Sequence, residues 1–424
     1  MNGYEKQLEY LSWEYGMFFH FGIRPFFPGH VDWDGKDMPL EAFDPTELDC
    51  DQWIRVAKEA GATYAILTCK HHDGFALWPT KYSYYSVANT PWKNGKGDVV
   101  REFVDACRRH GLRVGLYYSP AQWGKYAVPF ANAKDYDDYF INQIGELLTN
   151  YGKIDYLWFD GCGSEGHEYD RERIVSEIGR MQPEILTFCD PEWTPGVRWV
   201  GNEDGYASLA NPLVVSATDY SELSTEEQKL SCAAFLPSEC DCKLRSTWFW
   251  DENEDTIKSV DELFGMYEMS VGHGSNFLIN IGPDARGLLP DADVKRILEL
   301  RDRIRAAYGT PIPYSAPVRE GNVYTVTAEA LGAPDWKTNP DESRLANRLV
   351  ICEDLTHGQR IESFSVYAYL PVYQKKKILL FEGRTVGHKV ICPFGALRAS
   401  RFEVVVNSAS GDYAITDIKA YFAK

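Results

Sequence analysis

One short stretch constrains this chain more than any other: Asp155-Tyr156-Leu157-Trp158-Phe159-Asp160-Gly161. It reads as an apolar strand that ends on a carboxylate just before a glycine. A helical pattern precedes it (Asp135 to Tyr151) and another follows (Asp170 to Met181), so it is one strand of an alternating β/α series. Parallel α/β barrels gather their functional groups at the C-terminal ends of strands. Residues two apart on a strand face the same way, so Trp158 and Asp160 are expected to share the inner, site-facing side. Asp-Gly pairs also cap turns. On this strand alone, Asp160 is open between a turn cap and a site residue.

The rest of the chain repeats the alternation. Residues 4–14 read as a short helix covering one end of a barrel, followed by an apolar first strand, Tyr15 to Gly22, that carries His20. The loop from Arg24 to Leu40 is rich in Pro, Gly, Trp and acid and is long enough to be a working loop. A helix from Asp49 to Ala60 leads to a strand, Thr63 to Cys69, which runs into Lys70-His71-His72-Asp73-Gly74. Then come a helix (Asp98 to His110, stopped at Gly111), a strand (Arg113 to Pro120), the Asp160 strand, and strands at Ile185 to Asp190 and Val197 to Glu203. Periodicity is lost from Asp204 to Leu236, where loops and one irregular strand are expected. Thr247 to Trp250, a helix from Val260 to Val271, a strand from Ser275 to Ile281 and a closing helix from Asp291 to Tyr308 complete the series. Such alternation over some 300 residues predicts a (β/α)8-like barrel. After Gly309 to Pro313 the texture changes to short alternating runs without a helix, the pattern of an antiparallel β-sandwich. The expected domains are residues 1–310 and 311–424.

Composition matters chiefly for what it excludes. A net charge of −18 argues against nucleic acid or an anionic membrane as partner, since both call for basic patches. The chain has no run of 18 apolar residues and its first residues lack the charged-then-apolar form of a secretory signal. The ten cysteines have no framework spacing, and Cys69, Cys189, Cys352 and Cys392 fall inside apolar strands, which suits free thiols in a reducing compartment. The expected location is the cytoplasm, or outside the cell if a leader precedes this chain. Oligomeric state is not legible.

Three histidines stand at strand exits: His20, His71 and His72. Adjacent histidines match no familiar metal-ligand spacing. The other two readings are structural histidines and groups that bind a polyhydroxylated ligand, a task suited to a neutral ring with one donor and one acceptor. Cys240-Asp241-Cys242 has no second pair and is neither Cys-x-x-Cys nor a zinc pattern; Gly272-His273-Gly274 reads as a turn. No Gly-x-Ser-x-Gly elbow, Walker A loop or dinucleotide fingerprint occurs. Carboxylates at strand ends with histidines and abundant aromatics (12 Trp, 26 Tyr) form the composition of a glycosidase site, which needs one carboxylate as nucleophile or base and another kept protonated as general acid.

At this point the chain resembles the α-L-fucosidases of glycoside hydrolase family 29. The resemblance runs over about residues 10–310 and rests on an ordered set of motifs: Trp13-Glu14-Tyr15-Gly16-Met17-Phe18-Phe19-His20-Phe21-Gly22, His71-His72-Asp73-Gly74-Phe75, Gly115-Leu116-Tyr117-Tyr118-Ser119, Leu157-Trp158-Phe159-Asp160-Gly161 and Asn276-Phe277-Leu278-Ile279-Asn280. It implies Asp160 as nucleophile, His20, His71 and His72 as holders of fucose hydroxyls, and Tyr117 and Trp158 as further fucose contacts. Arg198-Trp199-Val200-Gly201-Asn202-Glu203 resembles the branch acting on α-1,3/1,4-linked fucose, which implies Glu203 as acid/base, with Glu239 as the alternative. In that branch the stretch from Arg245 to Trp250 lies beside the site, so Trp248 is expected to face the sugar or its aglycone. Many members carry Glu-Trp in the loop after the first strand, where this chain has Asp32-Trp33. The resemblance thus implies a retaining exo-α-L-fucosidase acting on fucosylated oligosaccharides and needing no metal or organic cofactor. The alternatives are a broader fucosidase that cleaves α-1,2 and aryl fucosides and a fucose-binding protein without catalysis.

Overall fold

The computed structural model describes residues 3–30, 34, 36–122, 127–160, 167–188, 196–219, 227–328, 345–370 and 376–424. Eight parallel strands close into a barrel. In chain order they are β1 (Tyr15–Phe19), β2 (Tyr64–Lys70), β3 (Arg113–Tyr118), β4 (Tyr156–Phe159), β5 (Leu186–Phe188), β6 (Gly196–Trp199), β9 (Ser238–Lys243) and β10 (Asn276–Asn280). Between β6 and β9, β7 (Val214–Asp219) and β8 (Glu227–Phe235) pair as an antiparallel ribbon beside the barrel. The barrel neighbours run β1-β10-β9-β6-β5-β4-β3-β2, and β1 closes on β2.

The helices form where the sequence supplies both an apolar stripe and caps. α1 (Gly3–Leu11) precedes β1. Asp49 caps α2 (Cys50–Ala60) by accepting from the Gln52 N–H, and Gly61 ends it at φ +92°. Asp98 caps α3 (Val99–His110) in the same way, and Gly111 ends it. α4 (Ala133–Asn150), α5 (Arg171–Met181), α6 (Val260–Ser270) and α7 (Asp291–Tyr308) complete the outer layer.

Strand alternation divides the core in two. Outward-facing strand residues such as Met17, Leu67 and Cys69 pack against the helices, while Phe18, Ile66, Tyr117, Tyr156 and Trp158 fill the barrel. α1 contributes Tyr10, and the turn after it Trp13; both are fully buried in that inner cluster and plug the N-terminal end of the barrel. Each large side chain buried in this way stabilises the fold by roughly 1.5–3 kcal/mol. Gly16 shows how tight the plug is: a Cβ there would lie 2.2 Å from the Tyr64 ring.

Past residue 310 the chain forms two antiparallel sheets. One has the order β11 (Val318–Glu320), β12 (Val323–Thr327), β17 (Arg401–Ala409), β14 (Ile361–Tyr369), β15 (Lys377–Gly383); the other has β16 (Val390–Leu397), β13 (Ala346–Glu353), β18 (Ile415–Tyr421). They enclose a separate apolar core that includes Phe364, Phe402 and Ile418. This sandwich docks on the N-terminal side of the barrel: Glu14, just before β1, accepts from His388 at 3.0 Å and Lys389 at 2.6 Å, and Arg348 pairs with Glu268 of α6 at 2.8 Å. Among the described residues no helix is long and apolar enough to cross a membrane.

Two sequence expectations need correction. The stretch from Asp204 to Leu236 holds the two-stranded ribbon β7–β8, with a register shift between Val215 and Ala217; its side chains are mostly exposed or half-buried, so it lacks the apolar signal that would have marked strands. The second concerns Ser238 to Lys243, read for its cysteines and for Glu239 but not as a strand, which is barrel strand β9. Cys240 and Cys242 point outward into buried packing while Glu239 and Asp241 point into the barrel, and polar inner positions hid the strand period.

Candidate active site

All eight strands run the same way, so their C-terminal ends converge on one mouth, where a cavity of about 290 Å³ opens. His20 follows β1 directly; His71 and His72 follow β2; Tyr117 sits near the end of β3; Trp158 and Asp160 end β4. All six line this cavity, as do Glu203 and Trp248 from the loops beyond β6 and β9. Asp32 and Trp33 lie outside the described residues.

Asp160 is held by two neighbours. The Tyr117 hydroxyl donates to its Oδ2 at 2.6 Å, and His72 Nε2 stands 3.5 Å from the same oxygen. The tautomer of His72 follows from this contact. Asp160 Oδ2, as a carboxylate oxygen, can only accept, which places the ring proton on Nε2, and Nδ1 then accepts from the Ser119 hydroxyl 2.6 Å away. His20 is fixed in the opposite sense. Asn280 Oδ1 accepts from the His20 backbone N–H and from Nδ1 at 2.7 Å, while the Asn280 amide donates to the Trp248 carbonyl. That leaves His20 Nε2 as the acceptor nitrogen. The His20 ring stacks on Trp248 (4.8 Å, 26°) and the His71 ring on Tyr117 (5.4 Å, 8°). Among the described residues, His71, His72 and Asp160 are also a set of metal-ligating side chains with donor atoms within 4.8 Å of one another. Within this set Tyr117 donates to the Asp160 carboxylate, and Ser119 bonds the His72 ring.

Glu203 is not at a strand end, as the sequence suggested, but four residues past the end of β6. The Trp-Val-Gly-Asn-Glu run explains how it is aimed. Gly201 adopts φ +87°, and a Cβ there would meet the Asp219 carboxylate at 2.8 Å. Asn202 Oδ1 accepts from the Asp204 N–H and its amide donates to the Tyr206 carbonyl, a local turn that presents Glu203. Its Oε2 accepts from Lys243 Nζ at 2.7 Å and from the Trp248 indole at 3.1 Å.

Sequence reading missed two pocket groups on β9, Asp241 and Lys243. Asp241 is buried and accepts from the Trp199 indole at 2.8 Å; burial first, then the nearby Glu203 charge, pushes its carboxyl well above the usual carboxylate range. Both would have been found had alternation been counted back from the Cys-Asp-Cys run. Glu239, two residues earlier on the same strand face, does not line the cavity. It sits roughly 7 Å nearer the N-terminal end, at about 3.3 Å per strand residue, and is completely buried.

Comparison with known proteins shows the family. The α-L-fucosidase family model matches residues 6–305. The chain is 32% identical to α-L-fucosidase 1 of Arabidopsis thaliana over 98% of its own length and 87% of the relative's. A crystal structure of a putative α-L-fucosidase from Bacteroides thetaiotaomicron is 31% identical and superposes with a TM-score of 0.86, covering 99% of this chain and 97% of the other. A glycoside hydrolase family 29 fucosidase of Ruminococcus gnavus, solved in complex with fucose, is 25% identical with a TM-score of 0.81, covering 99% and 94%. The chain therefore belongs to the α-L-fucosidases of glycoside hydrolase family 29.

Proposed function

We propose that the protein is a retaining exo-α-L-fucosidase that removes α-1,3/1,4-linked fucose from branched oligosaccharides. The observation that carries the reading is a single cavity bearing Asp160 on the β4 wall and Glu203 on the β6 loop, with histidines of opposite tautomer between them. Asp160 attacks the anomeric carbon with its carboxylate, which Tyr117 and His72 hold by Oδ2. Glu203 protonates the leaving oxygen and then, as base, activates the water that releases fucose. Retention calls for the two carboxyl groups to work about 5–5.5 Å apart. A general acid must carry a proton, which Glu203 takes up from solvent before the first step; Lys243, 2.7 Å from Oε2, stabilises the carboxylate left once that proton has gone to the leaving oxygen.

Recognition follows from the same contacts. His20 Nε2 accepts from one sugar hydroxyl, while His71 and His72 bind others. Trp248, stacked on His20, offers its face to the C6 methyl that marks a deoxy sugar. The cavity stands at the lower end of the ~300–1,000 Å³ range of small-molecule sites, room for one sugar ring and hence for a terminal residue. The linkage preference rests on the Arg198–Glu203 run. The buried free thiols at Cys69, Cys240, Cys242 and Cys392 fit work in a reducing, cytoplasmic setting.

The test follows free fucose from three substrates: a Lewis-type trisaccharide with α-1,3/1,4-fucose, a 2-linked fucosyl disaccharide and an aryl α-L-fucoside, with NMR of the first-formed anomer. Release from the trisaccharide as the α-anomer, with little from the others, is expected. Rapid cleavage of the aryl or 2-linked substrate overturns the linkage preference, a first-formed β-anomer overturns retention, and binding without release overturns catalysis.

A further inference from the structure

The barrel carries a second carboxylate that the proposed chemistry does not use. Glu239 has no exposed surface, and both of its oxygens are engaged. Oε2 accepts from the Tyr10 and Tyr64 hydroxyls, each at 2.7 Å; Oε1 accepts from the Trp158 indole at 2.9 Å and the Tyr156 hydroxyl at 3.2 Å. The four donors come from three elements, α1, β2 and two positions of β4, and they meet on β9. A carboxylate is the side chain that can accept four such bonds at once; a glutamine in its place brings two donors and must reverse some of them. Burial pushes the Glu239 carboxyl above its usual range, against the pull of these donors.

One of the four donors is part of the candidate site. Trp158 lines the cavity with its ring and turns its N–H away from the sugar, down to Glu239. The ring is clamped between Phe188 (4.0 Å, 12°) and Tyr117 (5.2 Å, 26°), and Tyr117 donates to Asp160. Packing alone leaves a flat ring free to slide in its plane; a charge-assisted bond from its edge removes that freedom. We propose that Glu239 is a positioning residue for the fucosidase reaction: through the Trp158 indole it sets the ring on which Tyr117 rests, and so the placement of Asp160. This rests on the reading of Asp160 as nucleophile.

The test compares wild type, Glu239→Gln, Trp158→Phe and the double variant on an aryl α-L-fucoside, with fucose affinity measured by calorimetry and folding by near-ultraviolet circular dichroism. Glu239→Gln is expected to lower kcat roughly ten- to hundredfold with a smaller change in fucose affinity. Trp158→Phe keeps a ring but lacks the N–H, so adding Glu239→Gln to it is expected to cost less than about twofold more, inside the ~0.5 kcal/mol scatter of such comparisons and the signature of coupled residues. A wholly structural role would lower the melting temperature and leave kcat alone. The proposal is overturned if Glu239→Gln turns over like wild type, or if its loss in kcat carries undiminished into the Trp158→Phe background. Should Glu239→Gln fail to fold, Trp158→Phe alone decides: an unchanged kcat overturns the proposal. A wild type that releases no fucose overturns both readings, whereas an active wild type with an unaffected Glu239→Gln overturns this one alone.

Discussion

The two ends of the barrel interior are built from the same residue types and do opposite things. At the C-terminal mouth Asp160 keeps 23% of its side chain exposed and is held on one oxygen by Tyr117 and His72. At the N-terminal end Glu239 is sealed beneath the Tyr10 and Trp13 plug and held on both oxygens by four donors. A carboxylate whose every lone pair is occupied is a structural anchor. One that lines an open cavity can meet a ligand. Strand direction decides which is which: loops open the C-terminal end to ligand, whereas α1 and the sandwich close the other.

The sharpest break of this comparison is Asp160→Asn. It preserves the Tyr117 contact geometry and removes the proposed nucleophile, so kcat on every substrate is expected to fall by about four orders of magnitude, as for other members of a catalytic set. A loss of less than tenfold would move the nucleophile elsewhere. Glu203→Gln comes next. Loss of general-acid assistance costs ~10²–10⁴, and it is expected on oligosaccharides, with a much smaller effect on aryl fucosides whose leaving group needs no proton. An equal loss on both substrate types would mean that Glu203 binds rather than protonates. Tyr117→Phe is third. A hydrogen bond to a charged group contributes about 1.5–3 kcal/mol, so kcat should drop roughly ten- to hundredfold with the melting temperature nearly unchanged. A wild-type kcat would show that His72 alone orients Asp160.

How much of this was legible in the chain depends on the same polarity pattern. β1, β2, β4 and β10 are continuous apolar runs with a polar exit, and the helices between carry Asp caps and glycine stops, so both the barrel and the positions of His20, His71, His72, Trp158 and Asp160 could be read directly. β9 defeated that reading because its inner face carries Glu239, Asp241 and Lys243. Glu239 consequently looked like an alternative acid, although three tyrosines and a tryptophan, far apart in sequence, bury it. Long-range satisfaction of a buried charge leaves no local signature. Glu203 was recognisable only through its motif, because a loop turn and not a strand aims it.

The smallest expected effect tests the sealed end, and it concerns pH. Burial works against the Glu14 carboxylate, but His388 and Lys389 together hold it at about 2, down from 4.5. A carboxyl depressed on folding adds stability that is fully present above its unfolded value and is lost as pH falls through the folded one. At about 1.36 kcal/mol per unit, the contribution is at most about 3 kcal/mol near neutrality, and it should fade between pH 4.5 and 2. Thermal melts of wild type and Glu14→Gln are therefore expected to differ most at pH 5–7 and to converge only as pH falls below 2, where both carry a neutral group at this position. Below the melt, kcat of the variant at pH 7 should match wild type, because Glu14 joins the sandwich to the barrel at the end remote from the cavity. A gap in melting temperature that ignores pH would show that packing, not charge, joins the two parts. A loss of kcat without a loss of stability would show that the closed end reaches the open one by a route other than Glu239 and Trp158.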